Sequence, residues 1–339
     1  MSIIISRAPF RISFFGGGSD YPVWFRREGG AVLSAAIDKY IYISCRYLPP
    51  FLGIRHRIVW RHVELIDSIA EILHPAIREG LRYLKFDDSR GIELHYQGDL
   101  PARSGMGSSS SFVVALLQTL NSLRGRTLDK RELAAMAIDL EQNFMQETVG
   151  SQDQIAAAYG GLNVVQFCTN GSFEVEPLNL PQEREHALLS RLMLFFPGRS
   201  RMGTDVAKSV TENLADQSKT VRRMVAMVQE GSKILKAGNM SDFGPLLDEA
   251  WHLKRSLSTR VSSDDIDDIY ARARKAGALG GKLLGAGGTG FVLLYVEPEQ
   301  QKSVRDALTP QCTYVPFKFD HQGSCIIYRA DAAQDYEWQ

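Results

Sequence analysis

The residues of this chain whose types and spacing can do chemistry are gathered in three glycine-rich loops and one acidic pair. In Pro101-Ala-Arg103-Ser104-Gly105-Met106-Gly107-Ser108-Ser109-Ser110, glycines and serines separate a β-type run from an apolar helical pattern. Glycines let successive backbone N–H groups turn inward as an anion nest, and the helix start that follows adds partial positive charge. Serine hydroxyls at that position can bond phosphate oxygens or a magnesium ion. A plain glycine turn with a serine N-cap accounts for one or two of these residues but not for the cluster.

The second loop, Arg7-Ala-Pro-Phe-Arg11 through Gly16-Gly17-Gly18-Ser19-Asp20, sets two arginines and a carboxylate around three consecutive glycines. Glycines after a strand mark close approach by a ligand or by another backbone, or simply a turn, and Asp20 can equally be a helix N-cap. The third loop, Gly285-Ala-Gly287-Gly288-Thr289-Gly290, matches G-x-G-x-x-G literally. A dinucleotide fold needs a strand before that motif and a helix after it. Here a helical stretch through Ala278 is expected before it and the strand Phe291 to Val296 after it, which argues against a Rossmann-type oxidoreductase. Gly280-Gly-Lys282-Leu283 is not a Walker loop either, because leucine replaces the magnesium-binding Ser or Thr.

Glu141 lies about 80° around a helix from Leu133, on the flank of the stripe Leu133, Ala137, Leu140 and Phe144, where it can face a cleft or solvent. Asp153 opens a small-residue helix, where it can also simply favour the dipole. Phosphoryl transfer needs one carboxylate for a metal and one group to accept a hydroxyl proton, and Glu141 and Asp153 fit those two tasks.

The elements that must hold these residues read as α+β. Strand-like runs at Ile3 to Ser6, Arg11 to Phe15, Ile41 to Arg46, Ile58 to Leu65 and Ile92 to Tyr96 predict a mixed sheet. Helical stripes at Phe112, Val113, Leu116, Leu120 and at Leu133, Met136, Ala137, Leu140, Phe144 predict two helices packed on it. Strands return at Leu162 to Phe167 and Phe173 to Leu178. The polar stretch Pro181 to His186 is the candidate boundary between a lobe over 1–186 and another over 187–339. Beyond it the pattern predicts a strand at Leu192 to Phe196, long helices over about 203–278, the strand after the third loop, and short strands near Tyr314 and Ile326.

Composition narrows the classes. The 339 residues carry 39 basic and 39 acidic side chains, so no overall field draws the chain to nucleic acid or an anionic membrane. No apolar run approaches the roughly 18 to 20 residues of a membrane span, and the start lacks a basic leader, so a cytoplasmic protein is expected. Four scattered cysteines without a C-x-x-C pair suit free thiols, and the seven histidines show no ligand spacing.

Taken together and in this order, Ala8 to Tyr21, Pro101 to Ser109 and Leu283 to Gly290 resemble the three signature motifs of the GHMP kinases, along almost the whole chain. The resemblance implies a two-lobed α+β fold: an N-terminal lobe with a left-handed crossover carrying the phosphate loop, and a ferredoxin-like C-terminal lobe. It implies ATP and Mg2+ as cofactors, with Pro101, Arg103, Ser104, Gly105, Met106, Gly107, Ser108, Ser109 and Ser110 on the nucleotide and Ser109 and Glu141 on the metal. Asp153 is then the catalytic base with Arg11 beside it and the transferred group. Gly16, Gly17, Gly18, Ser19, Asp20, Gly287 and Gly288 shape the acceptor site.

Galactokinases carry Gly-Glu-His-Thr-Asp where this chain has Gly16 to Asp20, which argues against galactose. The glycine version is similar to that of kinases acting on the anomeric hydroxyl of heptose 7-phosphate, and less closely to fucokinases. Phe196-Pro-Gly-Arg199-Ser-Arg201 resembles the heptose kinases' stretch, making Arg201 the expected sugar-phosphate clamp with Lys208 behind it. Met106 and Thr289 depart mildly from the family pattern, and Leu48 to Trp60 matches nothing in it. Another sugar 1-kinase, such as an octose kinase, a silent nucleotide and sugar sensor, and a homodimer all stay open.

Overall fold

The computed structural model describes residues 3–102, 104–198, 204–214, 216–288, 290–309 and 311–330. Arg103, Arg199, Arg201 and Thr289, singled out above, lie outside the described residues. The first half runs β1 (Ile4–Phe15), α1 (Pro22–Glu28), β2 (Gly30–Tyr47), β3 (His56–Val59), β4 (Val63–Ile66), α2 (Pro75–Tyr83), β5 (Ile92–Gly98), α3 (Ser108–Leu123), α4 (Lys130–Asp139), α5 (Gln152–Tyr159), β6 (Leu162–Phe167) and β7 (Phe173–Pro177). The second runs α6 (Gln182–Leu189), β8 (Leu192–Phe196), α7 (Thr204–Asn213), α8 (Ser218–Ala237), α9 (Phe243–Ser256), α10 (Asp264–Lys275), β9 (Gly280–Leu283), β10 (Val292–Tyr295), α11 (Gln301–Leu308), β11 (Thr313–Tyr314) and β12 (Cys325–Arg329). Among the described residues no helix is long and apolar enough to cross a membrane.

The two expected N-terminal runs are one strand. β1 pairs along β2, whose other edge is shared by β6 over Gly30–Ala35 and β5 over Ile41–Tyr47. The full order is β12-β1-β2-β5-β3-β4, with β6 and β7 branching from β2. β1 is interrupted between Pro9 and Phe10 and between Ser13 and Phe15. Such irregularities bend a strand and re-aim its side chains next to functional sites. Here they let the Arg11 backbone N–H donate to Met106 O at 3.1 Å, tying the strand to the phosphate loop. α3 lies on this sheet, and Val113, Leu116, Leu117 and Leu120 on it are fully buried.

The second sheet is antiparallel, in the order β11-β8-β10-β9. It meets the first through edge-to-face rings: Phe14 and Phe15 at the end of β1 stand 5.5 and 5.1 Å from Phe243 of α9. The chain then returns, because β12 pairs antiparallel with β1 over Ile4–Arg7.

Three local expectations are corrected. The run from Ile58 to Leu65 is a hairpin, β3 and β4, broken at Trp60 to His62. The third loop is preceded by strand β9, not directly by a helix, so it is the turn of a β9–β10 hairpin and the argument against a dinucleotide fold rests on the strand that follows it. Phe144 is 46% exposed and leaves the apolar stripe. The last turn after α4, Leu140–Phe144, is π-helical, with Met145 N donating to Leu140 O, and the extra residue per turn rotates Phe144 outward.

Candidate functional site

Between the two sheets lies a cavity of about 230 Å3, whose wall includes Arg11, Gly17, Gly18, Asp20, Gly105, Gly107, Ser108 to Ser110 and Asp153. Residues from all three loops and the head of α5 therefore converge. Arg11 is buried and pairs with Asp153 side on, Nε to Oδ1 at 2.7 Å and Nη2 to Oδ2 at 2.8 Å, while Nη1 donates to Gly105 O at 2.8 Å. This fork fixes both oxygens of the carboxylate. Gly107, in the left-handed region at φ +77°, lies against Asp153, since a Cβ there would stand 3.2 Å from Oδ2. The phosphate loop thus approaches the carboxylate by bare backbone.

The first turn of α5, which carries Asp153, is held by a buried acid, Asp20. Asp20 Oδ1 accepts Gly18 N at 3.0 Å, Oδ2 accepts Gln152 Nε2 at 2.9 Å, and Asp20 O accepts Ser151 N at 2.9 Å. One carboxylate so holds the glycine turn and the first turn of α5. Burial, with Asp153 adding, pushes the Asp20 carboxyl above the ordinary range. Ser13 Oγ and Gln152 Oε1, on the same wall, are buried polar atoms without a hydrogen-bond partner among the described residues.

The π-helical turn carries Glu141 inward instead of along the flank. It is buried, accepting Ser109 Oγ at 3.3 Å and Gln154 Nε2 on its other oxygen. Burial first, offset by hydrogen bonds from Ser110 and Gln154, pushes its carboxyl up to about 7. An acid that titrates higher folded than unfolded makes the fold bind an extra proton between those values. Stability therefore falls as pH rises from 4.5 to about 7. Glu141→Gln is expected to be more stable than wild type at about pH 8, by at most about 3 kcal/mol, and to converge with it near about pH 5. Thermal melts across that range check this, and equal melting points at the higher pH would show the charge to be compensated.

Other expected residues stand elsewhere. Ser19 is fully buried behind the turn, its Oγ donating to Gly16 O at 2.7 Å and Ala31 O at 3.0 Å, so Gly16 and Ser19 brace the loop while Gly17 and Gly18 face the cavity. Met106 is fully buried and Pro101 exposed. Gly287 and Gly288 pack on Val261, with Gly288 N donating to Val261 O at 2.9 Å. Lys208 is exposed on α7, which turns Ala207 and Val210 to the cavity. Among the described residues no three His, Cys, Asp or Glu side chains cluster as a metal site, so a cation here would need oxygens from a ligand as well as Ser109 and Glu141.

Sequence reasoning passed over Lys254, set Lys282 aside with the rejected Walker pattern, and left Leu48 to Trp60 as an unplaced segment able to face nucleotide or substrate. Lys254 and Lys282 line the same cavity. The segment Leu48 to Trp60 leads to a ring cluster beside α3: Trp60 meets His74 edge-on at 4.8 Å, and His74 stacks on Phe112 at 4.7 Å. Burial lowers His74 to about 4, so its ring is neutral. Only Trp60 of these rings belongs to that segment, and the segment's arginine, histidine and proline content is the signal that singles it out.

Comparison with known proteins agrees with this architecture. The family profile "GHMP kinases N terminal domain" matches residues 67–161, and "GHMP kinases C terminal" matches residues 232–312. The D-glycero-alpha-D-manno-heptose 7-phosphate kinase of Campylobacter jejuni is 28% identical, over 95% of this chain and 98% of its own. A galactokinase of Pyrococcus furiosus is 26% identical over 91% and 93%. The crystal structure of a D-glycero-D-manno-heptose 1-phosphate kinase from Bacteroides thetaiotaomicron superposes with a TM-score of 0.78 at 24% identity, covering 96% of this chain and 98% of that one.

Proposed function

Because this chain belongs to the GHMP kinase family and is an ATP-dependent phosphotransferase to an alcohol acceptor, we propose that it phosphorylates the anomeric hydroxyl of a sugar phosphate, with D-glycero-D-manno-heptose 7-phosphate as the preferred acceptor. The observation that carries the reading is the Arg11–Asp153 fork, facing both the phosphate loop and the bare turn at Gly17 and Gly18 in one cavity. A silent sensor would have no use for such an aimed carboxylate.

Asp153 accepts the proton of the attacking hydroxyl as the new O–P bond forms and the bond from the γ-phosphorus to the ADP oxygen breaks. Arg11 holds that carboxylate in place and adds positive charge near the transferred group. Backbone N–H groups of Gly105 to Ser108 and the start of α3 receive the other phosphates. Ser109 and Glu141 would hold Mg2+, which supplies neutralisation of phosphate charge when bound. The neutral rings of Trp60, His74 and Phe112 beside α3 suit a stacked purine.

The acceptor reading rests on shape and on the heptose kinase likeness. Gly17 and Gly18 put no side chain toward a sugar. Next to the cavity, sharing Tyr21, Thr148 and Val149, a second opening of about 610 Å3 continues along α1. Arg26 and Arg27 line it, while the neighbouring Glu28 is engaged by Arg222. A long acceptor with a distal phosphate fits that layout better than a free hexose.

A panel of free and phosphorylated sugars, followed by ADP release and by phosphorus NMR of the product, tests it. Heptose 7-phosphate is expected to give the highest kcat/KM, with the new phosphate on C1. A free hexose that outperforms it, or a phosphate placed elsewhere, would sink the acceptor assignment.

A further inference from the structure

Arg11 is heavily committed. Three of its N–H groups already go to Asp153 and Gly105 O, which leaves little of its charge for a substrate. In the same cavity stand two lysines whose hydrogen-bond acceptors among the described residues are backbone carbonyls. Lys254 of α9 donates from Nζ to Leu283 O at 2.8 Å and to Gly285 O, and Lys282 of β9 donates to Phe14 O at 2.8 Å. Both line the cavity.

Their surroundings differ. Lys282 is buried and bonded to the end of β1, which makes it a link between the two sheets. The carbonyls that hold Lys254 come from either side of Leu284, and Leu284 O lies directly on the phosphate loop, 2.5 Å from where a Cβ on Gly105 would stand. Lys254 therefore sits where the third loop touches the phosphate loop. Two of its three N–H groups serve those carbonyls and one remains. Burial lowers this amine well below its ordinary value, with the charges of Lys282 and Arg11 adding and that of Asp153 opposing, which reflects how closely these four groups gather.

We propose that Lys254 contacts the γ-phosphoryl group of ATP, so that the transferred group is gripped by a cation from the second half of the chain as well as by the phosphate loop of the first. The inference rests on the ATP-dependent phosphotransferase activity and not on which sugar is the acceptor. Its consequence is a nucleotide site that distinguishes a triphosphate from a diphosphate through one side chain. Lys282, held away at Phe14, acts through the packing of the two sheets.

Calorimetric titration of the whole chain with AMPPNP and with ADP, both with magnesium, is the test. Lys254→Met is expected to weaken AMPPNP by about 10- to 100-fold, the worth of one charge-assisted hydrogen bond, and to leave ADP within about twofold. Lys254→Arg keeps the charge and should recover most of the AMPPNP affinity, and Lys282→Met should leave the ratio of the two affinities near that of wild type. Lys254→Gln, which retains a donor for the carbonyls without the charge, is read in the same way should the methionine variant not fold. Equal losses for the two nucleotides, or no loss for AMPPNP, would overturn the proposal. Failure of the heptose assignment would show in the sugar panel and leave this ratio untouched.

Discussion

Asp153→Asn is expected to bind ATP within a fewfold of wild type and to lose turnover by about 10^2- to 10^4-fold, the range that general-base catalysis contributes. Asparagine keeps the size of the side chain and one acceptor for Arg11 but offers no site for the hydroxyl proton. Nucleotide binding should change little, because asparagine has the size of aspartate and the phosphate loop approaches this side chain with the bare backbone of Gly107. The fork to Arg11 is part-buried and the carboxylate is 24% exposed, so the lost ion pair is partly screened and the fold should survive. Steady-state kinetics beside nucleotide titration separate the two effects. Full turnover in this variant would remove Asp153 from the chemistry, and a parallel loss of ATP binding would make it a structural residue.

The second large effect is expected from a single methyl group. Gly105 has φ +78°, and a Cβ on it would stand 2.5 Å from Leu284 O, a backbone atom that cannot swing aside. Gly105→Ala must push the phosphate loop off the β9–β10 hairpin, and its own carbonyl, which accepts Arg11 Nη1, moves with it. Displacement on the order of 1 Å in a reacting centre costs about 10^2-fold. We expect kcat/KM for ATP to fall by about that factor, with a lower melting temperature. Gly53 provides the control, with φ +70° and no atom of the described residues within 4 Å of its Cβ position. Gly53→Ala incurs the left-handed strain alone, so it should melt about as much lower as that strain dictates and keep its activity. If the two variants behave alike, contact between the loops is not what holds the phosphate site.

The chemistry was legible in the sequence where it depends on local backbone. Glycine loops, serines at a helix start and an acid in the first turn of α5 are short-range features, and the structure brings Gly17, Gly18, Asp20, Gly105 and Asp153 to one cavity. Features set by distant partners were not legible. β9 is Gly-Gly-Lys-Leu, with no β-branched residue, and is a strand only because β10 pairs with it. The π-helical turn that buries Glu141 has no signature at the level of periodicity. Lys254 and Lys282 are two among 39 basic residues, and only the packing of α9 and β9 against the end of β1 marks them out. Ser19 and Asp20 are neighbours in one motif, yet the turn sends one hydroxyl backward to Ala31 and the other side chain toward α5.

The return of β12 to β1 has a consequence for how the protein is made. Residues 4–7 leave the ribosome about 320 residues before their partners at 325–329. At about 5 to 20 residues per second that interval is roughly 15 to 60 s. Throughout it, the outer edge of the strand that carries Arg11 has no partner, and an unpaired edge is a template for other chains. Production at low temperature, where synthesis slows further, prolongs the exposure, so soluble yield should depend on what shields β1 before its last neighbour arrives.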